Sequence, residues 1–387
     1  MSIEYQNVRI VQADRTIENG CVLFEGTTIT EVAEQNLDKG TTLLDGQGLT
    51  LFPGFIDVHV HGANGHDVMD ATPEALRGIA EVLPEEGTTS FLATTMTQSK
   101  EAIERALTNA GAFDAESVTG AEMLGVHLEG PFIAEEKSGA QPVEHILSPA
   151  VSTFEAWRES SNDKIKMVTL APEKEGADKL ISHLRQDGII ASIGHTSATF
   201  DQAKQAVDRG VGHVTHLYNQ MSGLHHRDPG VVGAAFTDPR LMVELIVDHI
   251  HSTKEAVQIA YHQITHERLL LITDAMRAKC LKEGTYDLGG QDVTVKGKQA
   301  VLEDGTLAGS ILKFKEAAGR MKDHLHLSDQ ELLSITSLNA ARELGVDDRK
   351  GEIAAGKDAD FVLIDSDFNI QATWARGSLV YEREGES

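Results

Sequence analysis

Cysteine is nearly absent: Cys21 and Cys280 are the only two in 387 residues, too few for a disulfide scaffold or a four-thiolate metal site. One bridge between them stays formally open. Positive charge is scarce as well, with 34 Lys and Arg against 60 Asp and Glu and a net charge of -26. A field of that sign repels nucleic acid and anionic lipid, so neither is expected as a partner. It also opposes an anionic small molecule at long range, which would need Arg, His or backbone N–H groups gathered locally. Nowhere do 18 uncharged apolar residues run together, so no segment reads as a membrane-crossing helix. The opening Met1-Ser2-Ile3-Glu4-Tyr5-Gln6 lacks the basic-then-apolar pattern of a secretory signal. The expectation is a soluble cytoplasmic protein. With 41% apolar and 24% charged residues, fibrous, low-complexity and disordered chains are excluded.

What is present falls into two patterns. Residues 8–11, 21–24, 28–32 and 41–44 are short apolar runs separated by Asn-Gly, Glu-Gly, Lys-Gly and Asp-Gly turn dipeptides. So few residues cannot bury both faces of a sheet. The tail offers more strand at 360–364 and 373–381, the latter with a turn at Arg376-Gly377. A small discontinuous β-sandwich domain from residues 1–51 and 350–387 is therefore expected. Between them, 52–349 alternates apolar runs with helical spacing. The runs are 54–60, 88–94, 124–129, 165–170, 189–193, 212–216, 242–247 and 269–273. Several are followed by stretches with apolar spacings of three and four, at 72–86, 100–111, 177–186, 200–209 and 253–262. Thr72-Pro73 and either Ser197 or Thr199 supply helix starts. Further helices at 329–334 and 339–344 would complete the edge. Eight such units fit an α/β fold, a (β/α)8 TIM-like barrel with functional groups at the C-terminal ends of its strands. An open doubly wound sheet is the alternative.

His59 and His61 stand at i and i+2 in the first run, so in a strand they share a side. Glu129 ends the third run, as His127 nearly does; His195 follows the fifth, His216 ends the sixth and Asp274 follows the eighth. Each alone has a structural reading: Glu129 as a helix cap, His195 on a core carbonyl, His216 at a rim, Asp274 closing a turn. Together His59, His61, Glu129, His195, His216 and Asp274 form an imidazole and oxygen set suited to two divalent ions. Zn²⁺ or Fe²⁺, and also Mn²⁺ or Co²⁺, suit such donors better than Cu⁺. A cation so held activates water and polarises a carbonyl, and Asp274 beside it could move the proton. That chemistry is hydrolytic, without choosing among amide, cyclic amide, ester or deaminated ring.

The chain resembles, over essentially its full length, the N-acetylglucosamine-6-phosphate deacetylases of the amidohydrolase superfamily. The resemblance rests on five segments in order: 53–62 (Pro-Gly-Phe-Ile-Asp-Val-His-Val-His-Gly), 125–132 (Gly-Val-His-Leu-Glu-Gly-Pro-Phe), Gly194-His195-Thr196, Thr215-His216-Leu217-Tyr218-Asn219 and Thr273-Asp274-Ala275-Met276. Arg227-Asp228-Pro229-Gly230 adds to it. The resemblance implies a barrel with a β domain built from both termini, and removal of acetate from N-acetylglucosamine 6-phosphate in amino-sugar metabolism. It implies that Glu129, His195 and His216 hold the principal ion, that the retained His59 and His61 mark a two-metal member, and that Asp274 is base and then acid. It also implies sugar contact by His251, phosphate contact by Asn219, His226 and Arg227, and a homodimer in which Arg227 reaches the neighbouring site. Leu307 falls in the loop near the acyl pocket. The chain departs from the family at Gln220, where alanine is usual, and carries Gln141 where some members have histidine; both are expected on the substrate pocket. The rivals are a cyclic-amide hydrolase or deaminase on the same barrel, against which Glu129 stands where those enzymes often have a modified lysine, and a non-enzymatic metal-stabilised scaffold.

Overall fold

The computed structural model describes residues 2–114 and 118–384. Eight parallel strands, Phe55–Val60, Thr88–Thr95, Glu122–Glu129, Ile165–Leu170, Ile190–Ile193, His213–Val214, Met242–Ile246 and Leu269–Ile272, pair in sequence order. The ring closes between the eighth and the first. The Asp274 N–H donates to the His59 carbonyl at 2.8 Å and the His61 N–H to the Ala275 carbonyl at 2.9 Å, with Val60 and Ala275 bridged in parallel. Closure excludes the open-sheet alternative. Strands buried on both faces need apolar residues throughout, which is why these segments read as continuous runs rather than alternating ones. The sixth is shorter than its run because His216 turns to φ 30° and leaves the ladder.

The helices form where caps and spacing called for them. Thr72 accepts from the Ala75 N–H ahead of Pro73–Val82, which tightens into a 3-10 turn at Leu83–Glu86 before Gly87. Of the two possible caps in the 190s, Thr199 is used, in a reciprocal box with Gln202. The helix expected over 253–262 runs on through Lys254–Arg268, with non-helical backbone at Thr265. Helices Val151–Ser160, Gly230–Thr237 and Phe314–Leu325 were not anticipated. The two short helices expected after 329 are one continuous helical stretch from Asp329 to Glu343, with a π-helical turn at Ser334–Leu338.

The second sheet joins Ser2–Val11, Thr16–Glu25, Thr28–Ala33, Thr42–Asp45 and Thr50–Pro53 to Phe361–Ile364, Ile370–Ala375 and Ser378–Glu382. Thr50–Pro53 is the joint, antiparallel to Phe361–Ile364 and parallel to the first strand at Arg9 and Ile10. Phe24 and Trp374 lie on strands four places apart in the sheet order, a separation of roughly 19 Å in a flat sheet. Their rings are 5.2 Å apart, so the sheet folds back over its own core, as a sandwich does. Where it meets the barrel, Val11, Phe52, Val362, Ile364 and Ile370 join the barrel's apolar core, and an ionic cluster is buried alongside. Lys350, 1% exposed, reaches Glu122 Oε2 at 2.8 Å, Asp358 Oδ2 at 3.2 Å and also Asp360, while both terminal nitrogens of Arg349 bond Glu122 at 2.7 and 2.9 Å.

A third, three-stranded sheet, Gly284–Leu288, Gln291–Lys296 and Gln299–Val301, also went unanticipated. Its Leu288, Val293 and Val295 pack on Met96 and Met276 beside the barrel mouth.

Candidate active site

The first strand sets the geometry. His59 and His61 face one way, ring centroids 5.3 Å apart, and Asp57 two residues earlier locks the strand to its neighbour. Asp57 Oδ1 accepts the N–H groups of His59 at 3.2 Å and Thr273 at 3.3 Å, and Oδ2 accepts the Thr273 hydroxyl at 2.6 Å. Burial lifts the Asp57 carboxyl to about 6 against the pull of Lys279 and Thr273. His195, His216 and Asp274 leave their strand ends with φ of 47°, 30° and 48°. Such left-handed backbone in non-glycine residues is strained and gathers at functional sites; here it turns three side chains inward over the barrel axis. Gly130, at φ 73°, permits the turn after Glu129: a Cβ there would stand 2.1 Å from Thr97 Oγ1.

The six residues meet. Glu129 Oε1 lies 3.1 Å from His195 Nε2, 3.1 Å from His216 Nε2 and 3.5 Å from His59 Nε2. Asp274 Oδ1 is 3.2 Å from His61 Nε2 and 3.4 Å from His59 Nε2, and Glu129 Oε2 is 3.2 Å from His61 Nε2. Glu129 thus bridges two donor sets, Glu129/His195/His216 and His59/His61/Asp274. The tautomers show what the convergence is for. His195 Nδ1 is 2.8 Å from the Lys137 carbonyl, which only accepts, so Nδ1 carries the proton. Its Nε2 then faces the Glu129 oxygen and His216 Nε2, each 3.1 Å away. His59 repeats the pattern, with Nδ1 donating to Glu244 at 3.0 Å and a buried Nε2 that has no hydrogen-bond partner. Imidazole nitrogens and carboxylate oxygens converging in a buried site suit a cation among them, so these residues fit divalent metal, with outer carboxylate and carbonyl partners setting the ligand tautomers.

The buried carboxylates call for positive charge beside them. Burial opposes charge on His59 and His61, yet the Glu129 and Asp274 carboxylates prevail, raising His61 to about 9 and His59 well above the usual imidazole range. Burial pushes Glu129 and Asp274 up, and the neighbouring imidazoles bring both down, Glu129 well below the carboxylate range. His127 is the exception. Burial and the nearby His59 lower it to about 3, its Nε2 bonds Thr169 Oγ1 at 2.7 Å, and its ring lies 4.6 Å from that of His59, so it is a neutral wedge behind the ligand.

The cluster floors a cavity of 310 Å³ whose walls include Gln141, Asn219, Gln220, His251 and Leu307. His251 Nδ1 bonds Asp248 Oδ2 at 2.6 Å, turning its other nitrogen to the remaining surroundings. Both ends of the Gln141 amide are engaged, Nε2 donating to Glu129 at 2.8 Å and Oε1 accepting the Thr97 N–H at 2.7 Å. His226 and Arg227 are not on that wall: they sit on an exposed turn, Arg227 Nη1 2.9 Å from His226 Nε2. Sequence reasoning missed Glu244 and the wall residues Met96, Leu288 and Thr306. A glutamate inside the apolar run Met242-Val243-Glu244-Leu245-Ile246 was the signal for the first, since an unpaired buried carboxylate is costly.

Residues 50–380 match the amidohydrolase family. The chain is 45% identical to N-acetylglucosamine-6-phosphate deacetylase of Bacillus subtilis (strain 168), over 98% of its own length and 97% of that protein. It superposes on the deacetylase of that name from Thermotoga maritima with a TM-score of 0.88 at 35% identity, covering 98% of this chain and 100% of that one. A mutant N-acetyl-D-glucosamine-6-phosphate deacetylase from Mycobacterium smegmatis, in complex with N-acetyl-D-glucosamine-6-phosphate, gives 0.90 at 28% identity, covering 98% and 99%. The inward-facing donor set and the matches along nearly the whole chain agree: the protein belongs to the amidohydrolase family.

Proposed function

We propose that the protein hydrolyses N-acetyl-D-glucosamine 6-phosphate to D-glucosamine 6-phosphate and acetate. The observation that carries the reading is the meeting of His195 Nε2, His216 Nε2 and Glu129 Oε1 within 3.1 Å at the floor of a 310 Å³ cavity that Asp274 also lines, in a chain 45% identical to a deacetylase of that sugar phosphate. Glu129, His195 and His216, and His59, His61 and Asp274, would hold divalent cations, whose chemistry would be to activate water and polarise the acetamido carbonyl. Two ions per subunit, zinc or iron before manganese or cobalt, suit the donors.

The chain's own residues do the rest. Asp274, its side chain 13% exposed toward the cavity, takes a proton from the attacking water and returns it to the nitrogen, so that an amine departs instead of an amide anion. His251, oriented by Asp248, binds a sugar hydroxyl, with Gln141 and Gln220 bordering the ring and Leu307 the acetyl methyl. Asn219, His226 and Arg227 hold the phosphate; a guanidinium pairs with it through two parallel bonds, a local attraction that answers the adverse net charge. Because His226 and Arg227 lie outside this subunit's cavity wall, the same reading makes the enzyme a homodimer whose Arg227 enters the partner's site. A doubly charged sugar phosphate crosses no bilayer unaided, so the reaction belongs in the cytoplasm.

Acetate release from N-acetylglucosamine 6-phosphate by the purified protein tests this. Stoichiometric acetate and amine, abolished by chelation and restored by Zn²⁺ or Co²⁺, are expected. No acetate from metal-loaded protein that opens hydantoins or dihydropyrimidines would replace this reading with the cyclic-amide one.

A further inference from the structure

Glu244 lies wholly buried in the middle of the seventh barrel strand and accepts three hydrogen bonds: from His59 Nδ1 at 3.0 Å, from His213 Nε2 at 3.1 Å and from the His216 backbone N–H at 3.1 Å. His213, also wholly buried, opens the sixth strand at the barrel's base, and its Nδ1 lies 3.2 Å from Glu343 Oε1. With a carboxylate at each nitrogen, the His213 ring carries both protons; burial opposes that charge, but Glu244 and Glu343 hold the ring at about 9. Glu343 ends the helical stretch from Asp329 and is 14% exposed at the opposite face from the mouth. A continuous chain, His59–Glu244–His213–Glu343, therefore runs from the metal floor through the barrel to its base.

We propose that Glu244, His213 and Glu343 are positioning residues that preset His59, with its Nε2 toward the Asp274 and Glu129 oxygens, so that occupancy of the His59/His61/Asp274 cation site is controlled from the base of the barrel. The inference rests on the metal-centre reading above and concerns ion binding rather than turnover. Without its anchor the His59 ring turns freely and can place the proton on the wrong nitrogen. The ion shared by Glu129, His195 and His216 does not use that ring. Outer partners of ligating histidines typically contribute about 10–100-fold in metal affinity.

Titration of metal-free full-length protein with cobalt(II), followed by calorimetry and by visible absorption, tests it. A His61→Ala variant identifies which isotherm belongs to the His59/His61 side. Wild type should take two ions. His213→Gln should weaken the His59/His61 ion by about 10–100-fold, and Glu343→Gln by at least about threefold, with the other ion's affinity unchanged. Should His213→Gln fail to fold, judged by its melting transition, the half-buried Glu343→Gln decides alone. Both ions binding as in wild type, both weakening equally, or a wild type that takes one ion would each overturn the inference. Selective loss in a protein that releases no acetate would leave the inference standing and remove the deacetylase reading.

Discussion

The barrel mouth and the seam between barrel and folded sheet both bury charge, and they settle it in opposite ways. At the seam the charges are matched: Lys350 touches three carboxylates and Arg349 grips Glu122 with two nitrogens. At the mouth, the Nε2 atoms of His195 and His216 face each other across 3.1 Å and the inner nitrogen of His59 has no hydrogen-bond partner. A completed network is what a structural joint needs, since a buried ion left without its partner is strongly destabilising. Imidazoles and carboxylates converging on shared points at the floor of a cavity are what a metal centre looks like from its ligands.

If the contrast is sound, changes at the two places separate stability from turnover. Asp274→Asn should reduce kcat by about a thousandfold or more, on the order of 4 kcal/mol of transition-state stabilisation, while the melting temperature holds and most metal is retained; near-normal turnover by pure variant would remove Asp274 from its role. Lys350→Met should do the reverse. Leaving Glu122, Asp358 and Asp360 without their shared cation should destabilise the fold by about 3–4 kcal/mol in denaturant titration, with kcat of the folded fraction unchanged.

Acid probes the seam without mutation. Burial pushes Glu122 up, but Arg349 and Lys350 bring it down from 4.5 to about 2. A carboxylate with a depressed folded pKa contributes stability that is complete above pH 4.5 and is lost as pH falls through about 2, here on the order of 3 kcal/mol. Lys350→Met should flatten that part of the stability curve; an unchanged slope between pH 5 and 2 would show that the seam does not hold Glu122 ionised. The smallest effect falls on substrate alone. Arg227→Ala should raise KM for the phosphorylated sugar about tenfold, about 1.4 kcal/mol, and leave N-acetylglucosamine hydrolysis and stability untouched; equal losses on both sugars would speak against phosphate binding.

The barrel was legible because strands buried on both faces leave an unmixed apolar signature, and because His195, His216 and Asp274 stand where such runs stop. What escaped notice lacked that contrast. The strands Gly284–Leu288 and Gln291–Lys296 are half-exposed and polar, so they went unanticipated and Leu288 was not seen at the cavity. The helix Gly230–Thr237 is apolar on all sides and buried, which erases helical periodicity. Glu244 hid because a single charge inside an apolar run says that a partner exists and not which one; His59 and His213 come from strands far away in sequence.

Anomalous diffraction from metal-loaded crystals grown with glucosamine 6-phosphate bears most directly on the mouth. The account predicts one peak enclosed by Glu129 Oε1, His195 Nε2 and His216 Nε2, a second by His59, His61 and Asp274, and the sugar amine turned toward Asp274. Metal bound only elsewhere, with the three Nε2 and Oε1 atoms left facing one another, would contradict it.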